Sequence, residues 1–134
     1  MFKLIKILNS GVNVPENTVL EKPVSLKINC GSAIAIADGY ASVCPATTKP
    51  THIAVQTTKD GSKTVLCHAV NENMLFETTV KAVPTALSIG DKVTLANDDD
   101  NCASHVSSTL TGGVATIVDL MGASAIGDKI TVKF

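Results

Sequence analysis

Apolar and polar residues alternate along most of this chain with a period of two, the pattern of strands that bury one face. The clearest stretch is Gly90-Asp91-Lys92-Val93-Thr94-Leu95. A Gly-Asp turn leads into a strand in which Val93 and Leu95 face inward while Lys92 and Thr94 face outward. The same pattern returns at Gly127-Asp128-Lys129-Ile130-Thr131-Val132, where Lys129, Thr131 and Lys133 alternate with Ile130, Val132 and Phe134. A fainter echo is Gly31-Ser32-Ala33-Ile34-Ala35-Ile36. Between these, the pattern predicts strands over residues 3–8, 18–20, 24–28, 34–37, 40–43, 51–56, 64–70, 74–82, 92–96, 102–106 and 114–120. Asp38-Gly39 is a hairpin turn signal, and residues 97–101 form an acidic turn. No segment sustains a helical stripe, so the expected fold is all-β. It is a compact β-barrel or β-sandwich of about 9–11 short strands with an extended N-terminal segment.

The two halves of the chain also align with each other. Gly31 matches Gly90 and Asp38 matches Asn97 at an offset of 59; Ile53-Ala54 matches Val114-Ala115 at 61; Gly61-Ser62-Lys63 matches Gly127-Asp128-Lys129 at 66. Insertions accumulate in loops, as expected of a duplicated motif. The expected organisation is an N-terminal strand or arm, 1–17, and one β domain, 18–134, with half-repeats at about 30–70 and 89–134. The first segment is read in two ways, as an edge strand of the domain or as an arm that adds to a neighbouring subunit. In the second reading its contact residues are Phe2, Lys3, Leu4, Ile5, Ile7, Val12 and Val14.

Composition narrows the function. A chain of 134 residues can bury a core. That core must be aliphatic, because aromatics are 3% and Trp is absent. Few rings and a formal charge of −1, with lysines scattered singly in sequence, speak against sugar platforms and against nucleic-acid grooves. No apolar run is long enough for a membrane helix, and residues 1–8 lack the cleavage site of a signal peptide. Cytoplasmic synthesis is expected, and with it four free thiols at Cys30, Cys44, Cys67 and Cys102.

Candidate chemistry is sparse. Cys102-Ala-Ser-His105 is the one pair with metal-ligand spacing. Asp98-Asp99-Asp100 lacks the ligand order of a calcium loop and reads as a solvated hairpin tip. Cys67 and Cys102 lack a nucleophile motif around them. Glu77 and Asp119 are the only carboxylates inside apolar strands, where a glycosidase would need a pair. The expectation is no catalytic residue, no metal and no cofactor.

Several stretches resemble small virion proteins of tailed phages and prophages. They are Lys3-Leu4-Ile5-Lys6 with residues 9–15, Met74-Leu75-Phe76-Glu77-Thr78-Thr79, Gly113-Val114-Ala115-Thr116-Ile117-Val118 and the closing Gly127 to Val132 stretch. The resemblance is to capsid decoration, or head cement, proteins, and its motifs are turns and apolar strands. It implies a β-rich, non-enzymatic protein that docks on the major capsid protein at the virion surface. It also implies self-association into a homo-oligomer, with a trimer as one form, and no nucleic-acid or membrane partner. Two other classes remain open: a phage tail or baseplate barrel, and a carbohydrate-binding β module.

Overall fold

The computed structural model describes residues 1–8 and 17–134. Twelve strands are present among them: β1 (Lys3–Ile7), β2 (Asn17–Glu21), β3 (Ala33–Ala37), β4 (Tyr40–Val43), β5 (His52–Ala54), β6 (Thr64–Ala69), β7 (Met74–Thr79), β8 (Lys92–Val93), β9 (Leu95–Asn97), β10 (Ala103–Val106), β11 (Ala115–Asp119) and β12 (Lys129–Lys133). One short 3-10 turn, Pro84–Ala86, sits in the connector that Pro84 opens. Every strand pairing is antiparallel, in sheets ordered β1-β7-β12-β11-β8, β10-β9 and β2-β6-β5-β3-β4. Among the described residues the architecture is all-β and sandwich-like, without a closed barrel.

β8 and β9 are one strand interrupted at Thr94, so the sequence-expected strand over 92–96 is a broken one. Thr94 turns away from β11: its N–H donates to the Thr109 carbonyl at 3.0 Å and its carbonyl accepts from Ser107 N–H at 3.0 Å. With that strand rejoined, the chain follows the same path twice. The first unit is β2-β6-β5-β3-β4 and the second is β7-β12-β11-β8/β9-β10, with β1 added outside β7. Hydrogen bonds set the equivalence residue by residue. Ala54 N–H donates to Ser32 C=O as Ile117 N–H donates to Asp91 C=O. Gly31 N–H donates to Ala54 C=O as Gly90 N–H donates to Ile117 C=O, and both glycines hold positive φ. Lys22 N–H donates to Lys63 C=O as Val80 N–H donates to Asp128 C=O.

These pairs keep the sequence-based offset of 59 at Gly31/Gly90. They shift the match of β5 to 63, so that Ala54 corresponds to Ile117 rather than Ala115. The structural units begin one strand earlier than the half-repeats read from sequence, at β2 and β7.

Sheet alternation sorts the core. Phe2, Phe76, Val93, Ile117, Ile130, Val132 and Phe134 form a main cluster, joined by Ala33, Ala35 and Ile53 from the facing side of the first unit. Ile34, Ala54, Val65 and Cys67 occupy the other side of that sheet in a smaller cluster capped by Ile28. Ile28 belongs to the expected strand at 24–28, which is not a strand. Leu26 N–H closes a turn on Pro23 C=O, and the Lys22 ammonium donates to the Leu26 carbonyl at 2.6 Å. Thr58 then anchors both backbone groups of Ile28. The segment acts as a plug for the first unit.

Candidate docking surface

The chemical candidates are all absorbed into structure. Among the described residues no three His, Cys, Asp or Glu side chains gather as a metal-binding group. Cys102 donates its thiol to the Lys27 carbonyl, and His105 bonds the Thr79 hydroxyl through Nδ1. Burial pushes the Cys67 thiol up to about 12 and Cys44 up to about 11, which suppresses the thiolate a nucleophile needs. Glu77 and Asp119 do reach the same sheet face, both opposite Thr131. Yet Glu77 is bridged to Lys129 at 2.8 Å, and Asp119 accepts from Met121 N–H at 2.8 Å. The hydrogen bond from Lys129 outweighs the opposing effect of burial, with help from the charges of Lys129 and Lys3. It holds the Glu77 carboxyl below its ordinary value, the opposite of what a proton donor near neutral pH requires.

The acidic turn is the solvated hairpin tip expected from sequence at Asp99 and Asp100, both exposed between β9 and β10, but Asp98 is drawn inward. Asp98 Oδ1 accepts from Asp100 N–H at 3.0 Å and Cys102 N–H at 2.9 Å. Its Oδ2 accepts from Ser104 Oγ at 2.8 Å and Asn29 Nδ2 at 3.4 Å. Those donors fill the acceptor sites of the Asp98 carboxylate. Asp100 accepts from Asn29 at 2.8 Å and pairs with Lys27 at 3.1 Å. The turn therefore ties the second unit to the plug of the first.

The N-terminal residues are placed as follows. Phe2 is 3% exposed, and its ring meets Phe134 edge-on at 5.2 Å. Leu4 and Ile7 pack on the main core. Ile5 is the extra residue of a bulge between Leu4 and Lys6 and is 46% exposed. Residues 3–7 thus form an edge strand hydrogen-bonded to β7 of the same chain. Of the contact residues expected for an arm, Lys3 and Ile5 are surface-exposed, whereas Val12 and Val14 lie outside the described residues. The bulge and the lysines blunt the free edge of β1 against strand addition.

What the fold assembles instead is a lysine-bearing sheet face. Directly opposed residues on neighbouring strands point to the same side. Lys92 opposes Thr116, and Thr116 opposes Lys133. Lys6 opposes Leu75, and Lys3 opposes Glu77. Glu77 opposes Thr131, and Lys129 opposes Thr79. Ile130, Val132 and Phe134 point the other way, into the core. Lys3, Lys6, Lys92, Lys129 and Lys133 therefore share the outer face of β1-β7-β12-β11-β8, all exposed, against the two carboxylates Glu77 and Asp119. This corrects the reading of the lysines as scattered. Each outward position was visible in the alternation; which strands become neighbours was not.

No protein-family model matches the chain, and no curated protein matches it. Among solved structures, the chain is similar to the head fiber gp8.5 N base in bacteriophage phi29. The TM-score is 0.52 at 13% sequence identity, over 89% of this chain and 94% of that one. At that identity the likeness is one of fold.

Proposed function

We propose that this chain is a non-enzymatic structural protein of a tailed-phage or prophage virion, carried on the head surface as a decoration or cement protein. The observation that supports this reading is the end-to-end likeness to a phage head fiber base, which covers 89% of this chain and 94% of the other. That is too much of the chain to involve one five-strand unit alone. The strand and turn motifs of the sequence point in the same direction.

In this reading the partner is the major capsid protein, and the protein self-associates as a homo-oligomer, with a trimer as one form. A rigid doubled β body suits a component that must hold a position rather than turn over a substrate. The supporting chemistry is the absence of any poised group among those described above: the buried thiols titrate high, and the Glu77 carboxyl titrates low. Neither cofactor nor nucleic acid has a role in this reading.

Light scattering followed by co-sedimentation with assembled, undecorated heads of the phage or prophage that encodes the protein tests it. Stoichiometric binding to expanded shells, absent with free capsid subunits, is the expected result. A folded protein that stays in the supernatant would overturn the head assignment and favour the tail or a soluble module.

A further inference from the structure

We propose that the outer face of the β1-β7-β12-β11-β8 sheet is a docking surface for an acidic protein surface, engaged through Lys3, Lys6, Lys92, Lys129 and Lys133. The identification of that partner with the head shell rests on the reading above; the chemistry of the face stands by itself.

The arrangement is a lattice. Lys92 and Lys133 lie in one row, two strands apart across Thr116, and the β12–β7 register continued one residue beyond Val132–Phe76 brings Leu75, and with it Lys6, into the same row. With strands about 4.8 Å apart, the three ammonium stems start roughly 10 Å from one another. Lys3 and Lys129 extend the cationic field along β1 and β12. Among the described residues five cations face two anions here, Lys129 being bridged to Glu77, on a chain whose formal net charge is −1. The folded molecule is therefore polarised, with its positive side on one face. Leu75, 8% exposed, lies in this row opposite Lys6 and is buried, so the row meets a partner through its lysines.

The chemistry favours a protein partner over nucleic acid. Glu77 and Asp119 stand within the face itself, where they would repel a continuous phosphate backbone. A protein surface can meet such a mixed pattern charge by charge. The face carries no aromatic ring on which a base could stack: Phe2, Phe76 and Phe134 are in the core. The cations are lysines, point charges without the arginine fork that grips phosphate bidentately. A second copy of this chain is a poor match, because in its acidic turn Asp98 and Asp100 are engaged internally by Asn29, Lys27 and Ser104, which leaves Asp99 alone, beside Lys81, to meet five lysines.

The experiment compares the full chain with two charge-matched variants. One is K6E/K92E/K133E on the face; the other is K49E/K59E/K63E, whose lysines are exposed elsewhere. Both change net charge equally, and circular dichroism establishes that both fold. The probes are undecorated heads, immobilised poly-L-glutamate and a DNA duplex, each at about 50 mM and 300 mM salt. The expected result is at least about tenfold weaker binding of the face variant to heads and to poly-L-glutamate, with the control variant close to the parent.

Heads that bind the parent and the face variant equally would overturn the face while leaving the head assignment standing. Heads that bind neither, with poly-L-glutamate still discriminating the face variant, would remove the head assignment and keep the face. Tighter binding to the duplex than to poly-L-glutamate, or no discrimination on either polymer, would overturn the proposal.

Discussion

At Gly113 the backbone passes so close to β8 that a Cβ would stand 2.1 Å from the Lys92 carbonyl oxygen and 2.7 Å from the Val93 nitrogen. Neither group can yield, since both belong to the strand that pairs with β11. Gly113→Ala is expected to cost about 1–3 kcal/mol, the range of overpacked sites, read as a lowered urea midpoint. Gly122→Ala, with open space around it but at a positive φ, should cost about 1–2 kcal/mol from backbone strain alone. Asp98 is the second residue whose role exceeds its local sequence. Asp98→Ala strands the Cys102 and Asp100 N–H groups and cuts the tie to Asn29. A loss of about 1–3 kcal/mol is expected, since hydrogen bonds to a charged group are the strong ones. A variant as stable as the parent would show that the turn is merely surface. The sequence displayed the acidic run but not its role, because Asn29 lies 69 residues away.

At the scale of elements, β1 illustrates why a segment can be read two ways. Lys-Leu-Ile-Lys-Ile alternates like any edge strand, and nothing local says whose sheet it completes. Here Phe2, Phe76 and Phe134 decide it: Phe134 meets Phe2 at 5.2 Å and Phe76 at 5.5 Å, so both ends of the chain close on one aromatic cluster. Phe2→Ala or Phe134→Ala is expected to destabilise the fold by about 3–5 kcal/mol. Deleting residues 1–7 should therefore lower the thermal midpoint before it affects any docking. That truncation cannot by itself test an arm; an unchanged midpoint would show that residues 1–7 are not part of the stable fold. Most strands were legible within a residue or two, β3 and β4 around the Asp38-Gly39 turn above all, where both turn residues hold positive φ. The segment 24–28 was misread because apolar spacing in a plug resembles that of a strand. Only the lack of a ladder partner distinguishes them.

For the whole molecule, the titrating groups define a pH window. His52 is lowered by burial, and His105 by burial together with nearby positive charge. A lowered histidine means that the unfolded chain binds the proton first, so stability begins to fall as pH drops below 6.5. Asp98, Asp100, Asp128 and Glu77 are all lowered as well. For Asp98 burial works the other way and is outweighed by its hydrogen bonds, those from Cys102 and Ser104 foremost. The stability these carboxylates confer is present above their ordinary values and is lost as pH falls through the carboxylate range. On the alkaline side, Cys44 and Cys67 hold their protons up to about 11 and about 12, so stability falls as pH rises past the ordinary thiol value of 9.0. Urea midpoints are expected to peak between 6.5 and 9.0; a peak outside that interval would contradict the assignment. Thiol labelling adds a check on packing. Cys30 is partly exposed, while Cys44, Cys67 and Cys102 are buried. The native protein should react rapidly at one thiol and at the other three only on unfolding.

The alternation of apolar residues and the Gly-Asp turns determined an all-β chain with a largely aliphatic core, to which three of the few rings, Phe2, Phe76 and Phe134, nevertheless belong. Those are local properties, set by a period of two and by turn chemistry. Tertiary structure alone decided that β1 completes the sheet of its own chain. It also decided that Asp98 ties two units together, that the repeat registers at 63 rather than 61 in β5, and that five separate lysines become one face. Each of these depends on which strands lie side by side. Antiparallel pairing between segments distant in sequence is chosen by the burial of both faces at once, a quantity that no single window of the chain contains.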